Sequence, residues 1–304
     1  MSVERAYHRL LEGFQGTILA NERMLRHTSY RIGGPAALFV TCDTYADLRF
    51  TNEVLREEDV PWVIMGRGSN VLVSDEGYGG AVITLGKEFR RFSFDEDCRL
   101  HVGAGAVLQR VVTEAFDKGL SGLEFAVGIP GTVGGAVSMN AGTAEQWIGS
   151  IVDELVAFRP GEGLVRYDGR DIAWGYRSND IPPREVILEA TLALKPGVEE
   201  QVKRAMEGML ARRKAAQPLD MLSCGSVFRN PPQAKAAQLI EACGLKGYTV
   251  GKAQVSPRHA NFIVNLGGAR AADVTRIIVH VLNHVRERHG IELRPEVRFL
   301  GFPA

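Results

Sequence analysis

The sequence predicts an α+β fold in three lobes, and three observations lead there. A strand–helix–strand pattern fills the first quarter, short β-like runs dominate residues 151–194, and a helix-rich stretch follows the break at Pro196-Gly197. A chain of 304 residues is also too long for one small core, at roughly 150 residues per domain. Boundaries are expected between Leu85 and Arg91 and at Pro196-Gly197, giving intervals 1–88, 89–196 and 197–304.

Leu10, Leu11 and Phe14 put an apolar face on a short N-terminal helix. HTSYRIGGPAALFV (27–40) reads as a turn feeding a strand. Thr44 and Asp47 have capping-box spacing, and Leu48, Val54 and Leu55 give the helix behind them one apolar side. VPWVIMG (60–66) reads as a buried strand stopped by glycine, and residues 66–85 as a loop, a strand, a Gly-rich turn and a second strand. Residues 91–102 have a strand rhythm, and GAGAVLQRVVTEAFDKGL (103–120) opens a helix after a glycine turn. VDELVAFR, LVRYD and EVILEATLAL are β-like. Val202, Met206, Met209 and Leu210 then mark one face of a helix and read as ordinary core. AAQLIEACGL is helical and FIVNL is a strand. Val274, Ile277, Ile278, Val281, Leu282 and Val285 stripe a strong helix over 273–289, and PEVRFLG closes as a strand.

Composition excludes several function classes. Lys+Arg and Asp+Glu are equal at 36 each, so charge makes no case for a nucleic-acid or membrane-surface partner. The four cysteines form no CxxC pair, which argues against a zinc site or a disulfide framework and for reduced thiols. No apolar run approaches the ~20 residues of a membrane span. Charges at Glu4 and Arg5, with no apolar segment behind them, argue against a signal peptide, so a cytoplasmic protein is expected. His280 and His284 have zinc-like i, i+4 spacing but no third ligand; they read as a polar helix face, and no metal is expected. Cys224, two residues before Ser226, has no base beside it in sequence and reads as a bystander.

Five segments could carry chemistry. GRGSN (66–70) ends a strand; its small residues let backbone N–H groups converge on an anion, yet it is neither a Walker loop nor a GxGxxG fingerprint. GLSGLEFAVGIPGTVGGAVSMNAGT (119–143) holds seven glycines in 25 residues, interleaved with Ile129, Val133 and Val137. A flexible linker lacks such apolar content. Gly134 and Gly135 would permit close backbone approach, with Thr132 and Asn140 as polar contacts; a tight crossover is the bland alternative. GYRSND (175–180), SCGSVFRNP (223–231) and RPEVRFLG (294–301) each set an ionisable or hydroxyl residue beside turn formers.

Together these segments, in this order and spanning residues 27–301, resemble the UDP-N-acetylenolpyruvoylglucosamine reductases. The first segments are shared with a wider flavin superfamily that includes vanillyl-alcohol oxidase; GYRSND, GSVFRNP and PEVRFLG separate the reductases from those oxidases. The short stretch between Arg177 and Ser226, with RRKAAQPL before the serine, resembles the second type of the family, which lacks an extra substrate-capping loop. The implied architecture is a two-lobed FAD-binding region of the vanillyl-alcohol-oxidase-like type plus a C-terminal α+β substrate-binding lobe.

The resemblance implies non-covalent FAD, and residues 61–100 contain no histidine to link it. It places the cofactor on Tyr30, Arg31, Gly66, Arg67, Gly68, Ser69, Asn70 and Val71. It adds Gly128, Ile129, Pro130, Gly131, Thr132, Gly134, Gly135, Ala136, Asn140 and Gly142. The implied reaction takes a hydride from NADPH and delivers it to the enolpyruvyl ether of a UDP-sugar. Arg177 and Glu296 are implied to stabilise the developing enediolate, Glu296 in protonated form, and Ser226 to supply the proton. Tyr176, Lys214, Asn230 and Arg298 are implied substrate contacts; Arg229 stands where a lysine is common, and uridine recognition around 248–259 is left open. A monomer is expected. An FAD-dependent oxidase of the same superfamily, or a flavin- or nucleotide-sugar-binding regulator, is the alternative.

Overall fold

A computed structural model describes residues 2–303. The chain opens with helix α1 (Ser2–Gly13), strands β1 (Thr17–Arg23) and β2 (Pro35–Cys42), helix α2 (Tyr45–Glu57), and strands β3 (Trp62–Ile64), β4 (Val71–Val73) and β5 (Tyr78–Leu85). Strands β6 (Phe92–Phe94) and β7 (Arg99–Gly103), helix α3 (Leu108–Asp117), strand β8 (Leu120–Ser121) and helix α4 (Val133–Ser138) follow. Then come β9 (Val152–Arg159), β10 (Gly163–Asp168), β11 (Val186–Ala193) and β12 (Lys195–Pro196). The last third holds α5 (Glu199–Ala216), α6 (Ala236–Ala242), β13 (Thr249–Val250), β14 (Ala253–Val255), β15 (Ile263–Asn265), α7 (Ala271–His289) and β16 (Arg298–Leu300).

The chain forms two compact units, both discontinuous in sequence. The first comprises the described residues of Met1–Ala20 with Leu38–Gly66 and Gly80–Ala211; the second comprises Asn21–Ala37, Arg67–Gly79 and the described residues of Arg212–Ala304.

In the first unit a five-stranded sheet runs in the order β10-β9-β11-β7-β6. Strand β11 is central, antiparallel to both β9 and β7, and six of its eight residues are buried, as a strand covered on both faces requires. Helix α4 lies against it. A four-stranded sheet has the order β1-β2-β5-β3, so β5 sits between the two strands that α2 connects. The capping box forms as expected: Thr44 Oγ1 accepts from Asp47 N at 3.1 Å, and Thr44 N donates to Asp47 Oδ2 at 3.0 Å. Two expectations need correction. Strand β3 is an edge strand, paired only with β5, so Trp62 and Val63 are half-buried and Ile64 is exposed. Leu11 is also exposed, because α1 packs along the side bearing Ala6 and Leu10.

The second unit has its own core around α7. Val274, Ile277, Ile278, Val281 and Val285 are buried, each stabilising by roughly 1.5–3 kcal/mol before entropy is counted. The helix begins at Ala271, two residues before the sequence pattern suggests, because a distant carboxylate caps it: Ala271 N and Ala272 N donate to Asp75 at 2.8 and 3.0 Å. Gly290, at φ +66°, ends it in the left-handed conformation. Parallel pairing of β16 with β4 joins the end of the chain to residues 71–73.

Candidate active site

Four of the sequence segments meet inside the second unit. Gly68 is left-handed (φ +60°), and a Cβ there would lie 2.3 Å from His27 O, so only glycine lets this loop close on residues 27–28. Ser29 N donates to Gly68 O at 3.1 Å, and Ser29 Oγ donates to Ser223 O at 2.7 Å, tying 27–34 to both GRGSN and the serine segment. Asn70 Nδ2 donates to Glu296 O at 3.2 Å, and Arg298 N donates to Asn70 O at 3.0 Å. Glu296 N donates in turn to Val227 O at 2.7 Å. Ser226 and Glu296 thus stand on neighbouring extended segments, both half-buried.

Sequence reasoning missed the groups that hold this arrangement. Asn261 is buried and brackets Phe228, its Oδ1 accepting from Phe228 N at 2.9 Å and its Nδ2 donating to Phe228 O at 2.8 Å. Asn265 Nδ2 donates to Tyr30 O at 2.9 Å. The available signal was an asparagine on each side of FIV, polar groups flanking an apolar run that need a partner once buried. Tyr30 itself lies in the core, fully buried, with its ring packed against protein. Its hydroxyl, without a hydrogen-bond partner among the described residues, faces the Cys224 thiol. Burial pushes that thiol up to about 12, which keeps it neutral and unsuited to nucleophilic work. Arg31 is left-handed (φ +54°), and its guanidinium donates to Arg26 O. Among the implied substrate contacts, Lys214, Asn230 and Arg298 are exposed, and Asn230 Oδ1 accepts from Ala236 N at 3.0 Å.

The first unit carries the Gly-rich block. Thr132 precedes α4, and its hydroxyl accepts from Gly135 N at 3.3 Å. A Cβ on Gly66 would come within 2.6 Å of that same Oγ1, so the end of β3 and the start of α4 touch where glycine removes the side chain. The block is partly the tight crossover of the bland reading. Gly134 N donates to Ala104 O at 2.8 Å, and a Cβ there would stand 2.8 Å from Ala104 Cβ. Gly142 is pressed against Gln146 and Trp147, and Gly128 N donates to Gln109 Oε1 at 2.9 Å. Gly135 differs: it is exposed, and a Cβ would meet only Thr132 Oγ1 at 3.5 Å. Gly134 and Gly142 are therefore crowded by protein, whereas Gly135 has open space beside it. In GYRSND, Tyr176 and Arg177 form the tip of a turn, with the guanidinium carbon 5.5 Å from the Tyr176 ring centroid. Arg177 is left-handed (φ +56°), one of three site residues with Arg31 and Asn140 in that region; such strain clusters at functional positions.

The rings of His280 and His284 lie 3.9 Å apart, tilted by 40°, and Tyr248 stacks flat on His280 at 4.0 Å. Among the described residues no cluster of three or more His, Cys, Asp or Glu is arranged to hold a metal ion, and no helix is long and apolar enough to cross a membrane.

Comparison with known proteins gives the family and the fold. A family model of the UDP-N-acetylenolpyruvoylglucosamine reductase C-terminal domain matches residues 217–300, and an FAD-binding domain model matches 36–160. The chain is 42% identical over 295 residues to the UDP-N-acetylenolpyruvoylglucosamine reductase of Syntrophotalea carbinolica, covering 96% of this chain and 97% of that one. It is 43% identical over 290 residues to that of Heliobacterium modesticaldum, covering 95% and 92%. The solved UDP-N-acetylenolpyruvylglucosamine reductase of Thermus caldophilus superposes with a TM-score of 0.80 at 36% identity, over 95% of this chain and 100% of that one. The α+β class expected from sequence is the class found.

Proposed function

Because this chain belongs to the UDP-N-acetylenolpyruvoylglucosamine reductase family, we propose that it reduces the enolpyruvyl ether of UDP-N-acetylglucosamine-enolpyruvate to UDP-N-acetylmuramate in peptidoglycan precursor synthesis. Non-covalent FAD fits the residues present. GRGSN and GTVGG contain no acid to repel a pyrophosphate, and at exposed Gly135 no side chain stands over the backbone that would approach it. When bound, FAD would supply the hydride chemistry that links NADPH to the enolpyruvyl β-carbon.

The chain's own groups then manage charge and one proton. The β-carbon becomes a methyl group, and the electron pair displaced from the double bond spreads from the α-carbon into the carboxylate. Arg177, a permanent cation with a planar fork, neutralises that carboxylate. Glu296 donates to it when protonated. Ser226 gives its hydroxyl proton to the α-carbon and is reprotonated from solvent, leaving a lactyl ether; a carbanion is basic enough to accept from so weak an acid. Tyr176, Lys214, Asn230 and Arg298 hold the substrate's carboxylate, diphosphate and sugar. Residues 1–88 and 89–196 serve the cofactor and 197–304 the substrate, in a cytoplasmic monomer.

The observation that carries this reading is the tie between the segments bearing Ser226 and Glu296, with Glu296 N donating to Val227 O at 2.7 Å and Asn70 Nδ2 donating to Glu296 O. The test is product analysis with NADPH deuterated at its transferable position and, separately, in deuterated water. The reading expects carbon-bound deuterium in the new methyl group in the first case and at the α-carbon in the second. Deuterium at neither carbon, or oxygen consumption in place of reduction, would refute it.

A further inference from the structure

We propose that Asn140 is a positioning residue for Arg177: it fixes the two-residue turn bearing the guanidinium, and so acts on reduction of the enolpyruvyl sugar, beyond the cofactor contact that the resemblance implies. The inference rests on the role given to Arg177 above. Asn140 follows the C-terminal end of α4, left-handed at φ +40° and 6% exposed. Its Nδ2 donates to Gly175 O at 2.8 Å, and its Oδ1 accepts from Gly149 N at 3.0 Å. A buried amide that bonds two separate stretches of main chain acts as a clamp, and either lost bond would strand a buried polar group.

What the clamp holds is the base of the Arg177 turn. Gly175 N donates to Ser178 O at 3.0 Å and Ser178 N to Gly175 O at 3.3 Å, so the chain closes around Tyr176 and Arg177. Gly175 O therefore accepts from both Ser178 and Asn140. On the other side, Asn179 Nδ2 donates to Val137 O at 3.0 Å and Ser138 O at 3.3 Å. Both asparagines strap the turn to the same end of α4. Trp174 adds a third restraint, its ring lying where a Cβ on Gly149 would be 2.3 Å from Cδ2, with Nε1 bonded to Gly169 O at 2.9 Å. An arginine at φ +56° persists only where its surroundings impose it, and these bonds are what impose it. Without them the turn relaxes and the guanidinium leaves its position, although Arg177 is chemically intact.

Asn140→Asp tests this without changing size. Its carboxylate still accepts from Gly149 N but cannot donate to Gly175 O. Asn179→Ala, outside the implied cofactor contacts, should keep flavin content and flavin reduction by NADPH within twofold of wild type, and Asn140→Asp is compared per bound flavin. Reoxidation by the enolpyruvyl sugar should slow by roughly 10²-fold, the cost of a group displaced by about 1 Å. Lowering pH should restore much of the rate, since a protonated carboxyl again donates to Gly175 O. Asn179→Ala, at a half-buried site, should slow the same step if Asn140→Asp fails to fold. Wild-type reoxidation in these variants, or equal loss in both half-reactions, would overturn the inference. Arg177→Ala is the reference: if it too reoxidises at the wild-type rate, the role of Arg177 falls; if it alone is slow, only the role of Asn140 does.

Discussion

Adding one methyl group at Gly66 tests how the cofactor loop is built. In Gly66→Ala the new Cβ would stand 2.6 Å from Thr132 Oγ1 and 3.3 Å from its Cγ2, and Thr132 is buried with nowhere to swing freely. The hydroxyl must leave Gly135 N, which it caps at 3.3 Å. Losing such a cap costs about 1 kcal/mol and overpacking adds about 1–3, together roughly 2–4 kcal/mol. If the strain falls on the FAD-bound loop, affinity for FAD drops by roughly 30- to 1,000-fold, at about 1.4 kcal/mol per tenfold. The assay is FAD titration of the apoprotein by flavin fluorescence, with Gly79→Ala as control, where an added Cβ meets nothing within 4 Å. An FAD affinity for Gly66→Ala within twofold of wild type would refute the reasoning.

Four further outcomes are expected. Ser226→Ala should slow flavin reoxidation by the enolpyruvyl sugar by about 10²–10⁴-fold while leaving reduction by NADPH intact, and stopped-flow absorbance separates the two steps; equal losses would contradict it. Gly208→Ala, at an exposed position inside α5 with open space around it, should raise stability by roughly 0.5–1 kcal/mol in urea titration; no gain would count against the helix there. Burial holds the His259 ring below its ordinary value of 6.5, and its Nδ1 accepts from Asn261 N at 3.2 Å, so the neutral ring is the folded form. Its stability contribution is complete above the unfolded value and is lost as pH falls through the lower folded one. The urea midpoint should therefore drop more for wild type than for His259→Gln between about pH 7.5 and about pH 5, and parallel curves would refute this. Cys42 and Cys224, both pushed up to about 12 by burial, should resist iodoacetamide at about pH 8 until the protein unfolds; rapid labelling of either, mapped by peptide and so told apart from the half-buried Cys98 and Cys243, would show that it is accessible.

What the sequence made legible was local. The Thr44–Asp47 box and the apolar stripe of α7 depend on neighbours a few residues away, and both stand as read. What it hid depends on distance along the chain. Asp75 caps a helix that begins nearly two hundred residues later, and β4 pairs with β16, so the second unit gathers three separate stretches that no composition shift marks. Glycines were ambiguous for the same reason. Gly134 and Gly135 look alike in sequence, yet one meets Ala104 and the other faces open space, and only the packing of α4 separates them. The burial of the Tyr30 ring was equally hidden, because the core it joins is assembled mostly from residues beyond 220. Asn261 and Asn265 escaped notice because their bonding partners lie in remote segments.

The account stands or falls on hydride passing from NADPH through bound flavin to the enolpyruvyl sugar. Purified, flavin-loaded protein mixed anaerobically with NADPH should lose its yellow absorbance, and later addition of UDP-N-acetylglucosamine-enolpyruvate should restore it with one equivalent of UDP-N-acetylmuramate formed. Flavin that stays reduced after the sugar is added, or regains its colour only when oxygen is admitted, would contradict it.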